Sequence, residues 1–307
     1  MSSPSRALVI VSGGAAHSPF TTPDAACRGG LPAGTTDTFL REGLLAAGHE
    51  VFTAPAHVGA GQALADEAEP GFSAPPEVLP AEVTINSAGT IDGAGHHLAG
   101  FLALLSQRYG YTSFDLVAHS MGGLFSRAAL RVLRDTASPL GVRSLTTIGT
   151  PWTGSFAAEV EAGQRDPADL AGDPRFAAVL AGFSAEAASA PRDGAAEQVT
   201  SGYLTGADGW NARQAGLLDG LTVTLVGGAA FTADGPPSAW PNDGLVSLRS
   251  ALAQDVPASV LPHRVTHTFD DVHSLFFAGQ FGLPVERALT WDPAVLAVVA
   301  DAVAREA

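Results

Sequence analysis

The sequence predicts an α/β fold, a mostly parallel sheet flanked by helices. Strand-like and helix-like runs alternate along most of the chain. The first of them, Ala7 to Val11 (ALVIV), is continuously apolar, as a strand buried on both faces must be. Apolar residues are 46% of the 307, enough to fill a sizeable core.

Each element has its own justification. The ALVIV run ends at Ser12-Gly13-Gly14, the composition of a tight turn. Thr38 to Ala47 reads as a helix stopped by Gly48, and Glu50 to Thr53 as a second strand closed by Pro55. Residues 57–80, rich in Gly, Pro, Ala and acids, read as a long loop. Leu98, Phe101, Leu102 and Leu105 recur at the spacing of one helix face, and Gly110 is placed to cap that helix. Phe114 to Ala118 is the next strand, Met121 to Arg134 a helix and Ser144 to Ile148 a strand. Leu221 to Val226 and Arg264 to Phe269 are further strands, and Pro293 to Arg305 a closing helix. About seventy residues, 152–220, separate two consecutive strands, too many for an ordinary connection. They are expected to form a helical cap inserted in a single domain that spans 1–307.

Charge and composition exclude several chemistries. Sixteen basic against 31 acidic residues give −15 at pH 7, a field that repels phosphate backbones and argues against nucleic-acid binding. All sixteen basic residues are Arg. Without Lys there is no Walker A loop, no Schiff-base lysine and no Ser-x-x-Lys acyl enzyme. The lone Cys27 allows no intrachain disulfide, zinc cluster or redox pair, and reads as a small thiol. No run reaches the ~18 apolar residues of a membrane span. The N-terminal apolar run is shorter than a signal peptide's, so a soluble, cytoplasmic protein is expected.

The chemistry centres on Ala118-His119-Ser120-Met121-Gly122, between a strand and a helix. This is the G-x-S-x-G nucleophile elbow with Ala first. The serine of such a turn sits on strained backbone, so its neighbours two residues away must be small. The helix that follows aims N–H groups at a developing oxyanion. An elbow needs an acid and then a histidine, in that order. Asp243, in Asn242-Asp243-Gly244, follows a strand through a Gly/Pro-rich loop and suits the acid. His273 lies just past the last predicted strand and suits the base; His263 and His267, in or beside that strand, compete. His119 is expected to support the turn.

These motifs carry a resemblance. AHSMGG at 118–123, IGTPWTGS at 148–155, NDGLV at 242–246 and DVHS at 271–274 resemble, in order and spacing, the bacterial lipases and esterases of the α/β-hydrolase superfamily. The resemblance implies Ser120 as nucleophile, Asp243 as acid and His273 as base. It also implies an oxyanion hole from the backbone N–H groups of Gly14 and Met121. Ser12 stands where the family usually carries His, and Trp152 replaces the His of GTPHxGS. Some relatives place a calcium-binding carboxylate two residues after the histidine; here that residue is Leu275, and Asp270 and Asp271 read as solvated loop acids. No metal and no cofactor are expected.

The function expected is hydrolysis of a small lipophilic carboxylic ester through an acyl-enzyme, with an acyltransferase, a thioesterase or a non-catalytic binding protein of the same fold as alternatives. Phe176, Val179, Leu180 and Phe183 make one apolar helix face in the expected cap. Leu180 and Phe183, with Trp152, are expected to line the substrate cleft.

Overall fold

The computed structural model describes residues 6–24, 37–64, 77–170, 176 and 193–305. Its centre is a six-stranded parallel sheet. The strands are β1 (Arg6–Val11), β2 (Val51–Thr53), β5 (Ser113–His119), β6 (Gly141–Ile148), β7 (Val223–Gly228) and β8 (Arg264–Phe269), in the spatial order β2-β1-β5-β6-β7-β8. Two short strands, β3 (Ala56–His57) and β4 (Ile85–Asn86), pair separately, at the start of the predicted loop and just beyond its end. Cys27 lies outside the described residues.

The apolar run of β1 shows why the sheet is covered on both sides. Ala7, Val9 and Val11 join one core with α2 (Ile91–Tyr109) and α3 (Gly122–Asp135). Leu8 and Ile10 join another with α1 (Thr38–Ala46) and the C-terminal helix Pro293–Arg305. A strand alternates its side chains between faces, so a strand covered on both faces must be apolar at every position. The predicted stripe of α2 (Leu98, Phe101, Leu102 and Leu105) is fully buried, and Gly110 caps the helix with its N–H on Ser106 O. The one charged residue within the β5 interior, Asp115, is satisfied from both neighbouring strands: Arg6 pairs with one oxygen and Ser144 Oγ donates to the other at 2.6 Å. A buried carboxylate is tolerated only with such partners.

Strand order places the working loops. The C-terminal ends of β1, β5, β6, β7 and β8 lie side by side, and each runs into a loop at that edge. The turn of Ser120 follows β5, the loop of Asp243 follows β7, and that of His273 follows β8. Between β6 and β7 the described residues form only short helices: α4 (Phe156–Glu161), α5 (Ala195–Gln198), α6 (Ser201–Leu204) and two single-turn pieces. Among the described residues no helix is long and apolar enough to cross a membrane.

Phe101 is completely buried and meets Phe20 edge-on, with ring centroids 5.6 Å apart. Phe101→Ala leaves a ring-sized cavity between α2 and the sheet, and a loss of about 3–5 kcal/mol is expected in chemical denaturation.

Candidate active site

Ser120 sits between β5 and α3 with φ +54°, a left-handed backbone that an Ala, Ser or Thr adopts only when its surroundings impose it. Three contacts do so. The Ser120 N–H donates to Ile148 O at 2.8 Å, and Thr150 Oγ1 donates to Ser120 O at 2.7 Å. From the other side, Gly13 lies so close that a Cβ on it would stand 2.5 Å from Ser120 Cβ. The turn is clamped between the ends of β1 and β6, and glycine at 13 is a steric requirement.

Asp243 and His273 are brought together as expected. His273 Nδ1 stands 2.7 Å from Asp243 Oδ2, with both side chains buried. The other carboxylate oxygen accepts the N–H groups of Leu245 and Val246, at 2.9 and 2.8 Å. The two loops are also joined by backbone, His273 N–H to Asp243 O at 2.7 Å. With Nδ1–H donating to the carboxylate, the lone pair of the neutral ring lies on Nε2. That atom is buried and has no hydrogen-bond partner among the described residues.

Gly149 joins the two halves of the site, and sequence reasoning passed over it. It follows Ile148, the acceptor of the Ser120 N–H, and has φ +60°. A Cβ here would lie 3.0 Å from His273 Nδ1 and 3.2 Å from Asp243 Oδ2. Its only sequence signal was its place inside IGTPWTGS.

The His119 side chain, expected to support the turn, reaches across to the loop of His273. Its Nε2 lies 3.0 Å from His273 O, and the two imidazole centroids are 4.7 Å apart. Burial, reinforced by the neighbouring His273, pulls its imidazole down to about 3, so it stays neutral. His263 is exposed and His267 half-buried, just before and within β8.

The N–H groups of the expected oxyanion donors, Gly14 and Met121, have no hydrogen-bond partner among the described residues, whereas that of the neighbouring Ala15 donates to Ser87 O at 3.2 Å. Gly14 and Met121 face each other: a Cβ on Gly14 would meet Met121 Sδ at 2.7 Å.

The expected substrate-lining residues fare differently. Trp152 is completely buried. Its indole N–H donates to Thr147 Oγ1 at 3.1 Å, and its ring covers the Arg127 guanidinium at 4.3 Å, with Trp210 on that same cation at 4.7 Å. Leu180 and Phe183 lie outside the described residues, as does Val179. Phe176 is described, and packs among Phe156, Phe231 and Trp240. The reading of both loop acids as solvated is corrected in part. Asp270 is exposed and pairs with Arg287 at 2.9 Å. Asp271 is buried, because the chain folds back with Val272 N–H on Arg287 O, and burial pushes its carboxyl up to about 7. Among the described residues no group of three or more His, Cys, Asp or Glu side chains is placed to hold a metal ion.

The architecture resembles that of solved enzymes. The mature form of the Bacillus licheniformis lipase BlEst2 superposes with a TM-score of 0.55 at 15% identity, over 96% of this chain and 91% of that one. The Pyrococcus furiosus esterase Pf2001 matches over 99% of this chain and 82% of its own, at 11% identity and a TM-score of 0.47. The chain has the α/β-hydrolase fold. At such identities the likeness to BlEst2 is one of fold alone. No protein-family model matches the chain, and no curated protein matches it in sequence. Within the hydrolase fold the elbow after β5 and the loops after β7 and β8 lie at the carboxyl edge of the sheet, where open α/β sheets bind ligands.

Two measurements check this geometry. Gly149→Ala combines a left-handed alanine with a methyl pressed on His273, and a loss of about 1–3 kcal/mol is expected in denaturant melts. For His119 the folded pKa of about 3 lies below the ordinary 6.5, so its stabilising contribution is complete above about pH 6.5 and is lost as pH falls toward 3. By pH 4 it amounts to a loss on the order of 3 kcal/mol. The raised carboxyls of Asp37 and Asp271 act with the opposite sign, favouring the fold at low pH. Comparing wild type with His119→Gln isolates the histidine: the variant should lose less stability between pH 7 and pH 4.

Proposed function

We propose that this protein is a serine hydrolase of carboxylic esters. Ser120 is the nucleophile, His273 the general base and Asp243 the residue that orients the imidazole. The observation that carries the reading is the buried His273–Asp243 pair, whose Nε2 has no hydrogen-bond partner among the described residues, behind an elbow serine held at positive φ. Neither feature helps the core: a buried imidazole nitrogen without a partner and a left-handed serine both cost stability. The presence of the hydrolase fold in a Bacillus licheniformis lipase agrees with this reading.

In the reaction, Ser120 Oγ attacks the ester carbonyl carbon while His273 Nε2 takes its proton. The oxyanion of the tetrahedral intermediate is received by the N–H groups of Gly14 and Met121, and collapse expels the alcohol, protonated by His273. Water activated by the same nitrogen then releases the acid from the acyl-enzyme. Asp243 stabilises the imidazolium and fixes the tautomer. His119 and Gly149 position His273 without touching substrate.

The substrate is read as a lipophilic ester. Supporting this, the helix after His273 is apolar: the Phe277 ring meets His273 edge-on at 6.1 Å, and Phe276 is exposed beside it. The segment 152–220 is the cap of the cleft in this reading.

Ser120→Ala and His273→Ala should each lower kcat by about 10⁴–10⁶ with the fold intact, and His267→Ala should stay within about twofold of wild type. Fluorophosphonate labelling and p-nitrophenyl esters of rising chain length check this. Absence of label on Ser120, or turnover that survives Ser120→Ala, would sink the proposal.

A further inference from the structure

A carboxyl group that no step of the reaction uses lies at the base of the loop carrying Gly13 and Gly14. Asp37 is 3% exposed and stands at the N-terminus of α1. An aspartate there ordinarily turns its carboxylate onto the first N–H groups of its own helix. Asp37 makes no such bond. Its Oδ2 instead accepts the hydroxyl of Ser12, 25 residues earlier. Ser12 Oγ also lies 2.7 Å from Ser18 Oγ. A hydroxyl has one hydrogen, and that of Ser12 is committed to the carboxylate, so Ser18 donates and Ser12 accepts.

These three side chains close a loop. Ser12 is the first residue after β1, and Ser18 is bound in both directions to Ala56, N–H to O at 2.9 Å and O to N–H at 2.8 Å. The hydroxyl pair joins the two ends, and Asp37 holds the junction from beneath. On the other side Ser87 Oγ donates to Ala16 O at 2.7 Å, and Ser87 O accepts from Ala15. Between these anchors Gly13 presses on Ser120 and Gly14 on Met121.

The arrangement is costly. The other oxygen of Asp37 has no hydrogen-bond partner among the described residues, and burial pushes the carboxyl up to about 6. A core that needed only volume here would hold an apolar side chain at less cost.

We infer that Asp37 is a positioning residue for ester hydrolysis, which acts through Ser12 and Ser18 to hold the Gly14 N–H where the oxyanion develops. The inference rests on the serine hydrolase reading. It concerns one donor of the transition state and no group that binds the ester in its ground state, so its removal should act on kcat and leave KM alone.

The experiment uses the full chain at pH 8, with p-nitrophenyl butyrate as substrate and an alkyl trifluoromethyl ketone, whose Ser120 adduct carries an oxyanion, as inhibitor. Ser12→Ala and Asp37→Ala should lower kcat by about 10–100-fold, less than the 10²–10³ for outright loss of a donor, with KM within about twofold. The inhibition constant of the ketone should rise by the same factor as kcat/KM falls. Ser12→Thr, which keeps the hydroxyl, and Asp37→Asn, which keeps an acceptor, should recover most of the rate. Ser18→Ala removes one bond of the three and serves where Asp37→Ala does not fold. Variants that melt earlier yet keep kcat and the inhibition constant while folded would show that the cluster is only structural. A wild type that neither labels at Ser120 nor cleaves the ester would overturn the hydrolase reading and this inference with it. A labelled, active wild type with indifferent variants would overturn the inference alone.

Discussion

The parallel pairing of β5 with β6 continues past the ends of both strands, and the rest of the site depends on that continuation. Ser120 N–H donates to Ile148 O, and Ser120 O accepts from Thr150 Oγ1. Two bonds, one on each of the peptide units that flank its Cα, hold the serine in its left-handed conformation. The residue between the two partners, Gly149, then stands against His273 and Asp243. One short stretch of chain thereby sets both the attitude of the serine and the floor under the histidine. A side chain at 149 would disturb both.

The polar groups around this junction are arranged as a relay of orientation. Asp243 is fixed by two backbone N–H groups, His273 is fixed by Asp243, and the backbone of His273 is fixed by His119. Each bond removes a rotation from the next group. Burial makes the relay rigid, because no water competes for the partners. Burial also keeps His119 neutral near pH 7, so a single additional charge is kept away from the His273 imidazole. The clasp of Asp37, Ser12 and Ser18 does for the loop after β1 what Ile148 and Thr150 do for the elbow.

Trp152 shows how a motif can be right in place and different in contact. It occupies a position at the carboxyl edge of the sheet, where a substrate wall was expected. Its ring instead covers Arg127 of α3, together with Trp210 from the β6–β7 connection. Stacking two indoles on a buried guanidinium, whose nitrogens have no hydrogen-bond partner among the described residues, offsets part of the cost of its burial. This ties the elbow helix to the chain on both sides of the segment 153–209.

What was legible in the sequence was local. A strand buried on both faces must be apolar at every position, so Ala7–Val11 announced itself, and the stripe of α2 did so by its spacing. The elbow was legible because a left-handed serine demands small neighbours. The meeting of Asp243 with His273 was legible by chain order and by the turns that carry them. The tertiary structure alone decided what depends on residues distant in sequence. Gly149 stands against His273, more than a hundred residues later, and that packing no local pattern shows. Asp271 is buried only because Val272 folds back onto Arg287. Asp37 bonds Ser12, 25 residues earlier, in place of its own helix, and only the fold brings the two together. Composition and periodicity report what a residue does with its neighbours along the chain, whereas hydrogen bonds between loops are set by strand order in the sheet, and no local pattern encodes that.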